Sequence, residues 1–84
     1  MPGYFCYIVE CADGTYYTGW STDPERRVLI HNKGQGARYT RQRVPVRLIY
    51  VEQQPDHSTA LKRERQIKKY THEQKKRLIQ QEKS

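Results

Sequence analysis

The chain has 84 residues, with sixteen Lys and Arg against nine Asp and Glu, a net charge of +7 and a sequence pI near 9.7. This length excludes two cores and lies near the lower limit for burying a core without covalent staples, so one domain is expected over residues 1–84, with its core at about 4–79. The charge makes polyanions the natural partners, whereas a membrane surface would call for an amphipathic helix with a strong apolar face and aromatic anchors, which the helical segments lack.

The apolar fraction is only 35%, but it includes seven Tyr, one Trp and one Phe, so the expected core is small and aromatic-rich. Residues 4–11 alternate aromatic, β-branched and thiol side chains; Ala12-Asp13-Gly14-Thr15 reads as a turn, and residues 16–21 are again β-prone. A β-hairpin is predicted. Cys6 and Cys11 on one strand would sit about 16 Å apart and point to opposite faces, so they cannot pair. Free thiols suit a reducing compartment, and two Cys without paired His or further Cys make no zinc site. No signal peptide, membrane-spanning run or lipidation motif is present, and a cytoplasmic protein is expected.

Thr22-Asp23-Pro24-Glu25 offers a capping hydroxyl, a Pro allowed in the first turn and a Glu three residues after the Thr, which predicts a helix from there to near Gly34. Arg27 and His31 share one face of that helix, where a guanidinium can clamp a phosphate beside a titratable imidazole. A merely solvated face carries such a pair as well. Residues 34–45 hold two Gly, one Pro, Arg38, Arg41, Arg43 and Tyr39 with no acid, and form a basic loop. Strand character returns over 46–53, and Pro55-Asp56 ends it.

From His57 the composition is helical, and a capping box at Thr71 and Gln74 splits it into helices of about 58–70 and 72–82. The fold class is therefore α+β, a small three-stranded antiparallel sheet flanked by helices in the order β-β-α-β-α-α. On the second helix Ala60, Leu61 and Ile67 form the apolar stripe, and a rotation of about 100° per residue puts Glu64 in its middle, facing the sheet. A carboxylate there is costly unless it is paired or bound to a cation, so it is either salt-bridged to an Arg or a metal ligand beside a phosphate site. His57 and His72 read as solvated and Trp20 as a sheet-face anchor. Lys68, Lys69, Lys75, Lys76 and Arg77 are either a solvated helix surface or, with the loop arginines, a track for a nucleic-acid backbone.

Phe5-Cys6-Tyr7 and Tyr17-Thr18-Gly19, ten residues apart from Tyr to Tyr, resemble the two triplets that name the GIY-YIG nuclease family. Arg27, His31 and Glu64 follow at that family's spacings. Residues 11–14, 22–27 and 34–41 are similar to the turn, helix start and Gly-x-Gly-Ala-(Lys/Arg)-Tyr-Thr-Arg loop of its small stand-alone bacterial branch. The first triplet departs from Gly-Ile-Tyr, Thr18 replaces an Ile, and no Asn follows Asn32, whereas some homing-type relatives use one.

The resemblance implies a metal-dependent endonuclease acting on nucleic acid, DNA before RNA. Glu64 would hold one Mg²⁺ or Mn²⁺, Arg27 bind the phosphate, Tyr7 act as general base, Tyr17 position the water or phosphate, and His31 assist proton movement. The ion and Arg27 would favour tyrosinate. Arg38, Tyr39, Arg41, Arg43, Lys68 and Lys69 are the expected nucleic-acid contacts. Many relatives attach this domain to a separate DNA-binding domain, so a protein partner supplying targeting is expected. The alternative is a non-catalytic nucleic-acid-binding module of the same fold.

One geometric condition follows. A two-residue loop at Asp13-Gly14 would pair residues whose numbers sum to 27 and put Tyr7 and Tyr17 on opposite faces, so a shared site demands an odd loop or a bulge.

Overall fold

The aromatic start of the chain forms the middle of the sheet. The computed structural model describes residues 3–83, with β1 (Tyr4–Glu10), β2 (Tyr16–Ser21), α1 (Pro24–Asn32), β3 (Arg47–Gln54), α2 (His57–Lys68) and α3 (His72–Lys83). The strands are ordered β2-β1-β3, both pairings antiparallel. β1 carries the densest apolar run, as a strand covered on both faces requires.

The hairpin meets the parity condition. Tyr7 pairs with Gly19 and Val9 with Tyr17. The Cys11 N–H donates to Thr15 O at 2.8 Å, leaving a three-residue loop in which the Gly14 N–H donates to Cys11 O at 2.9 Å and Gly14 takes φ +84°. A type I turn closed by a left-handed Gly is the usual solution for that length, and Gly adopts it without steric cost.

A register shift between Ile8 and Val9 marks a bulge in the pairing with β3: Ile8 faces Tyr50, whereas Val9 faces Leu48. Leu48 and Tyr50 therefore serve opposite faces. One face packs Cys6, Ile8 and Tyr50 against Ala60, Ile67 and Ile79 of α2 and α3. The other packs Tyr7, Val9 and Leu48 with Tyr17 and Val28 of α1. Fully buried Ile8 and Ile67 each contribute about 1.5–3 kcal/mol of transfer free energy.

The helix starts differ slightly from expectation. Asp23, not Thr22, caps α1, accepting from the Arg26 N–H at 3.2 Å with Pro24 next. Asp56 caps α2, accepting from the Thr59 N–H at 2.8 Å. In each case the Asp carboxylate satisfies an orphan amide and favours the positive end of the helix dipole. α3 has the capping box: the Thr71 N–H donates to Gln74 Oε1 at 2.8 Å, and the Gln74 N–H to Thr71 Oγ1 at 3.1 Å. Cys6 and Cys11 are both buried and free, in separate clusters. Among the described residues, no helix is long and apolar enough to cross a membrane.

Candidate active site

The even register of the hairpin and the position of α1 bring four of the sequence-selected residues onto one face. Tyr7, only 1% exposed, reaches from β1 under α1, and its hydroxyl lies 3.0 Å from His31 Nε2. The Tyr17 ring meets the His31 ring edge-on, with centroids 5.6 Å apart. Arg27, one turn before His31 on α1, is close enough to influence both the Tyr7 phenol and the imidazole.

Two glycines make room for this cluster. A methyl at Gly19, the cross-strand partner of Tyr7, would lie 2.6 Å from Tyr7 Oη and 2.7 Å from Cζ. At Gly36 it would lie 2.1 Å from His31 Nδ1 and 2.9 Å from the His31 Cα. The rings occupy the space that ordinary side chains would fill.

A hydrogen-bond chain orients the imidazole. His31 Nδ1 lies 2.8 Å from Thr40 Oγ1, and the Thr40 hydroxyl donates to Ala37 O at 2.9 Å. With its proton committed to that carbonyl, Thr40 Oγ1 accepts from Nδ1–H, so Nε2 is bare and accepts from the Tyr7 O–H. The opposite direction would leave Thr40 Oγ1 and Ala37 O facing each other without a proton. The longer approach of the Ala37 N–H to Nδ1, at 3.4 Å, is subordinate. Asn32, beside His31, closes the loop by donating to Val46 O at 3.0 Å and accepting from the Val46 N–H at 2.7 Å.

Electrostatics follow from burial. Desolvation pushes the Tyr7 phenol up to about 12, Tyr17 and Glu64 add to the rise, and Arg27 opposes it. The expected influence of Arg27 has the anticipated sign but is outweighed. Burial, then Arg27, holds His31 below its ordinary 6.5. The resting pair is a neutral phenol and a neutral imidazole.

Glu64 approaches from α2. Its side chain is 15% exposed and pairs with Lys68 one turn on, Oε2 to Nζ 3.7 Å, rather than with an Arg. Lys68 Nζ also lies 5.7 Å from the centre of the Tyr17 ring, which links the carboxylate to the tyrosine face. Arg63 of α2 instead makes a two-pronged pair with Glu52 of β3, at 2.6 and 3.1 Å, and is a structural clamp.

The basic loop borders the same place. Tyr39 stacks on Tyr17 with centroids 5.9 Å apart, and the Arg43 guanidinium lies 4.0 Å above the Tyr39 ring. Arg43 is occupied further by Asp13, at 3.1 Å, and by Tyr39 O, at 2.7 Å. It fastens the loop to the hairpin turn, while Arg38, Arg41 and Lys69 are exposed. His57 and His72 are exposed as expected, but each rests on an aromatic ring, Trp20 and Tyr16 respectively.

A GIY-YIG catalytic-domain model matches residues 3–78. The chain belongs to the GIY-YIG family. A UPF0213 protein of Staphylococcus aureus strain Mu3 is 53% identical over 79 residues, covering 94% of this chain and 96% of that protein. The solution NMR structure of the UPF0213 protein BH0048 from Bacillus halodurans shares 38% identity at a TM-score of 0.59, covering 93% of this chain and 83% of that one. The solution NMR structure of protein EF2693 from E. faecalis shares 38% at 0.65, covering 96% and 86%.

In this GIY-YIG domain, sequence reasoning missed Thr40 and the burial of Lys75. Thr40 is fully buried against His31, and Lys75, read as part of either a solvated helix surface or a backbone track, is only 9% exposed. The repeat of Gly and Tyr around Thr40 marks a loop but not which side chain turns inward. Among the described residues, no group of three His, Cys, Asp or Glu could hold a metal ion. Glu64, loosely paired and partly open, is the one sequence-selected carboxylate near the tyrosines. That donor set fits a hard, hydrated cation completed by water and phosphate oxygens, and does not fit zinc.

Proposed function

We propose that this GIY-YIG domain is an endonuclease that hydrolyses phosphodiester bonds of nucleic acid, DNA before RNA, with one Mg²⁺ or Mn²⁺ held by Glu64. The observation that carries the reading is the 3.0 Å contact of Tyr7 Oη with His31 Nε2, flanked by Tyr17 and Arg27. A buried donor and acceptor beside a guanidinium have the composition of a proton-transfer site for an anionic substrate.

When bound, the ion supplies Lewis-acid neutralisation of phosphate charge. Arg27 binds a non-bridging phosphate oxygen and stabilises the charge that develops on it. Tyr7 Oη takes a proton from the attacking water as its own proton passes to His31 Nε2. His31, neutral at rest, is able to accept it, and Thr40 holds the ring so that Nε2 faces the phenol. Tyr17 positions the water or phosphate. Arg38, Arg41 and Lys69 meet flanking phosphates, Tyr39 offers an exposed ring, and Arg43 and Lys68 act through the contacts that order Tyr39 and Glu64. The two unpaired buried thiols suit the bacterial cytoplasm, and targeting falls to a protein partner.

The test is cleavage of labelled single-stranded, duplex and branched DNA and RNA with Mg²⁺ or Mn²⁺ at low salt, comparing wild type with Glu64→Ala. Cleavage that disappears in the variant while binding persists supports the reading. Salt-sensitive binding with no cleavage by wild type would replace it with the non-catalytic binding module.

A further inference from the structure

Beside the tyrosine–histidine cluster lies a concavity that the proposed hydrolytic site does not use. It has a volume of about 200 Å³ and is lined by Thr15, Tyr16, Tyr39, Tyr70, His72 and Lys75. Its walls are fixed: Tyr16 and His72 stack with centroids 4.0 Å apart and planes at 10°, and His72 Nε2–H donates to Gly14 O at 3.2 Å. Tyr39 is shared, since the ring that borders this pocket also stacks on Tyr17.

Lys75 is the unusual member. The residue is 9% exposed, and among the described residues no carboxylate lies within ion-pair distance of it. Burial, and then the charge of Lys68, hold its pKa below the ordinary lysine value. A partly desolvated ammonium under the influence of a second ammonium is less favourable than one in open water, and an anion offsets that cost. The pocket is smaller than the roughly 300–1,000 Å³ of sites that enclose a whole small ligand, so it suits one group of a longer chain.

We propose that the Lys75 pocket seats a phosphate of the nucleic-acid strand adjoining the scissile one, with Lys75 as its principal cation. The proposal rests on the nucleic-acid reading of the site. It accounts for a largely buried lysine with no carboxylate partner among the described residues, for aromatic walls suited to the sugar attached to that phosphate, and for the position of the pocket one tyrosine away from Tyr17. Lys75 acts in binding and carries no part of the proton transfer.

The experiment measures binding of a fluorescent single-stranded oligodeoxynucleotide, without divalent ion, to wild type, Lys75→Met and Lys76→Met across a salt series. Lys76, exposed on the same helix, controls for net charge. The expected result for Lys75→Met is affinity about tenfold lower and a logarithmic salt slope shallower by about one, with Lys76→Met within about twofold of wild type. Equal losses in both variants would reduce Lys75 to surface charge and overturn the proposal.

In a second arm, wild type is titrated with inorganic phosphate and with the oligonucleotide while backbone amide resonances are followed. Oligonucleotide-induced shifts at Tyr16, His72 and Lys75 support the pocket. Phosphate-induced shifts there, without an oligonucleotide effect, assign it to a free anion and overturn the proposal. Neither arm requires cleavage, so this inference fails or stands separately from the hydrolytic reading.

Discussion

Tyr7 Oη and His31 Nε2 stand 3.0 Å apart in a buried environment that leaves both groups neutral at rest. A phenol raised to about 12 is a poor base alone, and a neutral imidazole in contact with it provides a destination for its proton. Tyr7→Phe removes that oxygen and leaves Nε2 without its donor, at a cost of about 1–3 kcal/mol of stability. The fold should survive, read by thermal unfolding, while cleavage falls by at least about 100-fold. Activity indifferent to the change would show that the base is elsewhere.

Gly19→Ala and Gly36→Ala separate two kinds of crowding. The Gly19 methyl meets the far end of the Tyr7 ring, which has some freedom to shift, whereas the Gly36 methyl meets the His31 ring and its backbone. Both should reduce cleavage, because each displaces one partner of the proposed proton-transfer pair. Gly36→Ala should also unfold at the lower temperature of the two, since overpacking against backbone costs about 1–3 kcal/mol or more. Equal activity in wild type and Gly19→Ala would mean that the position of the phenol does not matter.

The element order was legible because it depends on short-range rules, whereas the odd hairpin loop followed from requiring Tyr7 and Tyr17 to share a face. Alternation, Gly14 in the turn and the Thr71–Gln74 box each act within a few residues. The gathering of Tyr7, Tyr17, Arg27 and His31 was legible through spacing and family resemblance, since one strand parity and one helical turn fix their faces. Thr40 and Lys75 were not. Thr40 turns inward because the loop is pinned by Asn32 to Val46 and by Arg43 to Asp13, contacts 14 and 30 residues apart in sequence. Lys75 is buried because α3 lies against aromatic side chains from the hairpin, the loop and the end of α2. Thr22 and Asp23 are both chemically suitable caps, so the residue types alone did not choose between them, and Asp23 takes the role.

Stability should depend on pH in two separate windows. His31 is held below its ordinary 6.5 in the folded chain, so as pH falls from 6.5 the unfolded chain takes up a proton that the native state resists. Stability contributed above that value is lost on acidification through the lower folded value. Glu52, Asp13 and Asp56 are also held below their ordinary values, 4.5 for Glu and 3.8 for Asp, so their contribution is present above those values and lost below them. Unfolding midpoints from pH 7.5 to 5 should therefore fall in wild type and change less in His31→Gln. Parallel profiles would contradict the neutral buried imidazole.

Salt dependence should distinguish the exposed arginines from the one that is already engaged. Arg38→Ala and Arg41→Ala each remove one proposed phosphate partner and should flatten the slope of logarithmic affinity against logarithmic salt by about 0.7–0.9. Arg43→Ala removes the pair to Asp13 and the contact over Tyr39 instead. It should lower the thermal midpoint and loosen the loop. Binding series at several salt concentrations, with unfolding curves on the same samples, would expose an error if Arg43→Ala proved indistinguishable from the other two.

Thr40 should act on the chemistry only through His31. Thr40→Val keeps the shape of the side chain, removes the oxygen that accepts from Nδ1–H, and leaves that donor buried, which costs about 1–3 kcal/mol. The loss of stability alone would not establish a positioning role, because any buried hydroxyl gives it. The decisive readout is the imidazole nitrogen spectrum, in which wild type should show His31 protonated at Nδ1 and Thr40→Val should show a mixture or the other tautomer. Thr40→Ser restores the acceptor and should recover both the spectrum and the cleavage rate. If Thr40→Val keeps the Nδ1 proton and full cleavage while losing only stability, Thr40 is packing, and Tyr7 and its own surroundings determine the direction of proton transfer.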